Sequence, residues 1–163
     1  MGDFERFYNL ALRFLSYRPR SEKEVRFKLK VQSEKLKVED STRIIDNVIQ
    51  KLKEKKFIND EEFARLFMEN RLRFRPRSIN LIKRELLFKG VDREIIDAQI
   101  SNFQFPISNE LENAQNLIEK KIERYRNLPK QEIYQKLGRY LASKGFSWDT
   151  IKKSIDETLD KGV

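Results

Sequence analysis

The sequence predicts an all-α protein, an elongated tandem array of three three-helix repeats with about nine helices. Three observations carry that expectation. Apolar residues recur at spacings of three and four along most of the chain, which puts them on one face of successive helices. The same four residues occur twice, Arg18-Pro19-Arg20-Ser21 and Arg75-Pro76-Arg77-Ser78, each time between one helical pattern and the next. Self-similarity at a fixed joint is the mark of a repeat architecture. Finally, five glycines and four prolines in 163 residues leave little material for hairpins.

In the first set, residues 1–56, Phe4, Phe7, Tyr8, Ala11, Phe14 and Leu15 form a helical stripe from Asp3 to about Tyr17. Pro19 ends it, because the residue before a proline is pushed out of the α region. Ser21 and Glu24 have the spacing of a capping box, opening a helix that carries Val25 and Leu29. Ser41 is expected to cap the third helix, with Ile45, Val48, Ile49 and Leu52 inward.

The second set, residues 57–103, opens at Asn59 as a cap. Asp60, Glu61 and Glu62 place negative charge at the helix N-terminus. Phe63, Ala64, Phe67 and Met68 form its stripe. Ser78 opens the next helix, with Ile79, Ile82, Leu86 and Leu87 inward, and Gly90 ends it as a left-handed terminator. Asp92 caps a short helix bearing Ile95, Ile96 and Ile100.

The third set, residues 104–163, repeats the scheme. Ser108 opens a helix with Leu111, Ala114, Leu117, Ile118 and Ile122. Pro129 starts another with Ile133, Leu137 and Leu141, closed by Gly145, and Ser147 caps the last, with Ile151, Ile155 and Leu159. Aligning serine and glycine of the first two sets leaves extra residues around Val31–Lys37, which lengthen a helix or form a loop.

The charge narrows the function classes. Lys and Arg number 35 against 26 Asp and Glu, net +9, with a pI near 9.7 and a mean hydropathy of −0.73. Twelve Phe and five Tyr on patterned faces argue for a folded protein despite that polarity. Cysteine and histidine are absent, which removes disulfides, thiolate chemistry, imidazole ligation and every histidine-based triad. No apolar run approaches the ~20 residues of a membrane span, and the N-terminus lacks the layout of a signal peptide. A cytoplasmic protein without a membrane partner is expected.

By set, basic and acidic residues number 15 and 9, then 9 and 8, then 11 and 9. The middle set is divided along its length: no acidic residue lies between Arg71 and Arg84. A one-sided basic stripe is the footprint of a polyanionic partner. Arg71, Arg73, Arg75, Arg77, Lys83 and Arg84 are therefore candidate contact residues, with Arg18, Arg20 and Lys23 at the first joint. Arg71 falls four residues after Phe67, on the edge of the apolar stripe, so a packed structural role is equally open to it. Most phenylalanines lie on inward stripes, whereas Tyr17, Phe74, Phe88, Tyr125 and Trp148 fall near joints. Asp60-Glu61-Glu62 reads as helix capping rather than a metal site, and no phosphate loop or nucleophile elbow is present. No enzyme, cofactor or metal is expected.

Three segments resemble the RecX family, bacterial regulators of the RecA recombinase. They are Ala11-Leu12-Arg13-Phe14-Leu15 through Arg18, Ser21, Glu24-Val25 and Lys28-Leu29; Phe57-Ile58-Asn59-Asp60 with Phe63-Ala64, Phe67-Met68 and Arg71; and Ile82-Lys83-Arg84-Glu85-Leu86 with Lys89-Gly90-Val91. The resemblance implies tandem three-helix repeats and a modulator that binds RecA, usually its filament on single-stranded DNA; a monomer is expected. It further implies inhibition of ATPase, strand-exchange and coprotease activities, with direct non-specific DNA contact an added possibility. Two other readings stay open. One is a DNA-binding protein using a helix-turn-helix-like pair, in which the helix from Ser78 offers Asn80, Lys83 and Arg84. The other is a repeat scaffold for a different protein.

Overall fold

A computed structural model of the chain describes residues 2–74, 76–102 and 110–160. Among the described residues there are nine α-helices, one 3-10 turn and no strand. The helices are α1 Asp3–Ser16, α2 Glu22–Leu36, α3 Ser41–Glu54, α4 Asp60–Phe74, α5 Ile79–Phe88, α6 Arg93–Asn102, α7 Glu110–Ile122, α8 Lys130–Ser143 and α9 Trp148–Asp160. The chain divides into two compact units, Met1–Phe67 with Leu86–Ser101, and Met68–Glu85 with Asn102–Val163.

In the first unit, α1, α2 and α3 pack pairwise around Phe7, Ala11, Val25, Leu29, Val48, Ile49 and Leu52, all fully or almost fully buried. Each of these Phe, Val, Leu and Ile side chains contributes about 1.5–3 kcal/mol by leaving water. Ser21 and Glu24 form the complete capping box: the Glu24 N–H donates to the serine oxygen and the Ser21 N–H to the Glu24 carboxylate. The extra residues of the first set lengthen α2, which ends where Lys37 turns left-handed at φ +50°. Ser41 does not cap α3. Asp40 holds that position with φ +49° and no side-chain capping bond, and Ser41 lies inside the first turn. Asn59 caps α4 as expected, its Oδ1 accepting from the Glu62 N–H at 3.1 Å. Leu87, expected inward on α5, is 40% exposed, while Leu86 is fully buried.

In the second unit, α7 packs chiefly on α9, with α8 against both, around Ala114, Ile118, Leu137, Leu141, Ile151 and Ile155. The 3-10 turn Glu123–Tyr125, absent from the sequence reading, continues directly from α7. Ser78 is buried and caps α5 through the Leu81 N–H at 3.1 Å. Ser147 caps α9 through the Thr150 N–H. Ser108, the expected start of α7, lies outside the described residues. Ser154 and Thr158, buried on α9, donate back to the carbonyls of Ile151 and Ser154, which satisfies both hydroxyls.

Candidate interaction surface

The two serine joints are built alike, each within its own unit. Ser21 caps its own helix and also donates its hydroxyl proton to the Lys89 carbonyl at 2.6 Å. Ser78 likewise caps α5 and donates to the Gly145 carbonyl at 2.7 Å. Free N–H groups in the first turn of α2 and α5 then meet a carboxylate from the start of the following set's first helix. The Glu22 N–H donates to Asp60 at 2.9 Å, and the Ile79 N–H to Glu110 at 2.7 Å. Anionic oxygen at a helix N-terminus satisfies orphan donors and the positive end of the dipole together. The serine of each doubled motif therefore fastens one three-helix set to the next.

The glycines complete the joints. Gly90 and Gly145 have φ of +80° and +86°, the conformation that ends a helix without a Cβ penalty. A Cβ on Gly90 would lie 2.6 Å from Lys23 Cβ, and one on Gly145 would lie 2.6 Å from Leu81 Cβ and 2.8 Å from Ser78 Oγ. Both turns are pressed against the serine-capped helix that they meet.

The arginines around these serines do different work. Arg18 donates to Glu24 at 2.8 Å, and Lys89 reaches the same carboxylate oxygen at 3.2 Å. Burial works to raise the Glu24 carboxyl, but donors from Arg18, the Ser21 backbone and Lys89 outweigh it and hold it below its ordinary value. Arg20 lies over the Phe14 ring at 3.9 Å, and burial, with the Arg18 charge next, lowers its guanidinium from the ordinary value. Counting from the two serines, Phe14 corresponds to Arg71, Arg20 to Arg77 and Lys28 to Glu85. In the second unit Arg71 and Arg77 both pair with Glu85, Arg71 at 2.8 Å. The guanidinium shared by the two joints thus meets a ring at the first and, from a different position, a carboxylate at the second.

Among the sequence candidates, Arg18, Arg71 and Arg77 are engaged in ion pairs with partly buried carboxylates, and Arg20 is stacked on a ring. Arg73 pairs with Glu69 at 3.2 Å and remains exposed. Lys83 is half-buried, while Lys23 and Arg84 are exposed. Arg75 lies outside the described residues. The sequence reading missed Phe27 and Phe57, which are 68% and 52% exposed. For Phe27 a signal existed: it lies two residues from both Val25 and Leu29, off the buried stripe of α2. Trp148, which the sequence places near a joint, is 64% exposed. Among the described residues no group of His, Cys, Asp or Glu is placed to hold a metal ion, and no helix is long and apolar enough to cross a membrane.

Three family models match the chain in order: the first three-helix domain of RecX over residues 8–32, the second over 59–98 and the third over 108–155. The chain belongs to the RecX family. The RecX match reaches the third set, beyond the segments that carry the resemblance in the sequence. A protein of Bacillus velezensis named regulatory protein RecX is 34% identical over 96% of this chain and 56% of its own length. One of Bacillus subtilis is 35% identical over 92% and 54%, so the chain spans about half the length of these relatives. The regulatory protein RecX of Clostridioides difficile is 34% identical over 93% of this chain and 68% of its own. The crystal structure of RecX from Lactobacillus salivarius superposes with a TM-score of 0.74 at 29% identity, covering 96% of both chains. A second RecX crystal structure shares the fold with a TM-score of 0.72.

Proposed function

We propose that this chain is a non-catalytic regulator in the cytoplasm that binds RecA and its filament on single-stranded DNA. In this reading it inhibits the recombinase, ATPase and coprotease activities in DNA repair and the SOS response. The supporting observation is the ordered match of three RecX domains, together with identity of about a third to proteins named regulatory protein RecX. In this reading the three repeats divide at 56/57 and 103/104. The exposed cations Lys23, Arg73 and Arg84 are the first contact residues; Arg71 and Arg77 are largely withdrawn from solvent around Glu85, and Arg18 serves the partly buried Glu24. A stand-alone duplex reader is less well supported, since α5 offers only Asn80 and Arg84 as exposed polar residues of its expected reading set, with Lys83 half-buried. The test is capture of the protein by RecA filaments on an immobilised single strand. Retention that is stronger with RecA and ATP together than on the bare single strand supports the reading. Equal retention by RecA-free duplex DNA favours the duplex reader instead.

A further inference from the structure

A groove of about 650 Å³ lies in the first unit, lined by α2, the start of α3 and the end of α5. Two phenylalanines that line it, Phe27 and Phe88, are 68% and 86% exposed. Two large rings left in water beside one groove gain nothing for the fold, which marks the groove as a place of contact. Lys23, Phe27 and Lys30 follow the i, i+4, i+7 spacing of one helical face. Lys23 also reaches the Phe88 carbonyl, its Nζ at 3.4 Å, which sets a cation at the backbone that carries the second ring.

The charge of the lining favours an anion. Glu24 is taken up by Arg18 and Lys89, and Asp46 by Arg26. Lys23 and Lys30 are exposed and form no ion pair among the described residues, with Glu34 the one remaining lining carboxylate. We propose that this groove is a stacking site for single-stranded nucleic acid, in which Phe27 and Phe88 take bases and Lys23 and Lys30 take the flanking phosphates. Every nucleotide brings one flat face and one anion, so a groove that alternates rings with cations accepts any run of them without matching a sequence. A protein partner would have to supply both features at matched positions. The site needs no RecA, and it goes beyond the filament reading.

The test is RecA-free binding of a labelled oligothymidylate of about 20 nucleotides at about 50 mM salt, followed by fluorescence anisotropy. Both rings are exposed, so the F27A/F88A variant keeps the core, and circular dichroism verifies its fold. That variant is expected to bind roughly tenfold or more weakly, while F27W/F88W binds as well as the parent. K23A/K30A is expected to reduce the salt slope by about one to one and a half, the release expected from two single-strand phosphates. An abasic oligomer of equal length should bind the parent no better than oligothymidylate binds F27A/F88A. No binding at low salt, or equal binding by parent and F27A/F88A, would overturn the proposal. So would an acidic phenylalanine-containing peptide that binds F27A/F88A more weakly than the parent and that the oligonucleotide does not displace.

Discussion

The hydroxyl of Ser21 donates to the carbonyl oxygen of Lys89 at 2.6 Å, a bond between residues 68 positions apart. The Ser21 hydroxyl oxygen in turn accepts from the Glu24 N–H, so one side chain both caps a helix and fastens the following set. Ser78 repeats the arrangement with Gly145 and Leu81. S21A and S78A are each expected to cost about 2–3 kcal/mol, a cap plus a carbonyl left without its donor. S147A removes an exposed cap and an exposed bond to the Thr150 hydroxyl, and should cost about 1 kcal/mol. Urea unfolding of the three variants provides the comparison.

Gly145 combines a left-handed backbone with a Cβ direction that points into Leu81 and Ser78. G145A is therefore expected to lose more than about 2 kcal/mol, more than the conformational penalty alone. Gly138 lies inside α8, where a Cβ would meet only Ile151 Cγ2 at 4.0 Å. G138A should stabilise by about 0.5–1 kcal/mol. Thermal melts that shift in opposite directions for the two alanines are the expected result.

Glu85 holds Arg71 and Arg77 together, all three largely withdrawn from solvent. E85A removes the carboxylate that Arg71 and Arg77 share and is expected to destabilise by about 2–3 kcal/mol, below the cost of breaking a fully buried pair because some exposure remains. R77A should cost less in the E85A background than in the parent, since the partner has gone. A double-mutant cycle on unfolding free energy measures that coupling.

Two carboxylates at the first joint respond to acid in opposite senses. Burial raises the Asp60 carboxyl above its ordinary value; the Glu22 N–H bond opposes this, and the Glu22 charge adds to it. Ionising Asp60 therefore costs stability, and that cost develops as pH rises from its unfolded value through its folded one. Glu24 is held below its ordinary value, so its contribution is present above the unfolded value and is lost as pH falls through the folded one. D60N keeps an amide oxygen for the Glu22 N–H and should be neutral or stabilising at pH 7. E24Q should destabilise at pH 7 and flatten the acid limb. Unfolding between about pH 3 and 7 measures both.

Local chemistry was legible in the sequence, and distant partners were not. The Ser21–Glu24 capping box, the Asn59 cap and the Gly90 and Gly145 terminators act within a few residues, so spacing alone reveals them. Asp60 looked like dipole capping of its own helix, but its oxygen serves the Glu22 N–H, 38 residues away. Arg71 and Arg77 read as part of an unbroken basic run because Glu85 falls just beyond its end; folding returns that carboxylate across 14 and 8 residues. Only Arg71 carried a sign of this, from its place beside the apolar stripe. Ser41 misled because serine commonly caps, whereas Asp40 has the positive φ that starts α3.

The most direct measurement of the functional account is the RecA ATPase on single-stranded DNA, titrated with this protein. The account predicts a progressive fall complete at or below one molecule per RecA, weakened when Lys23, Arg73 and Arg84 are changed together to alanine. An ATPase rate unchanged at equimolar protein would contradict it.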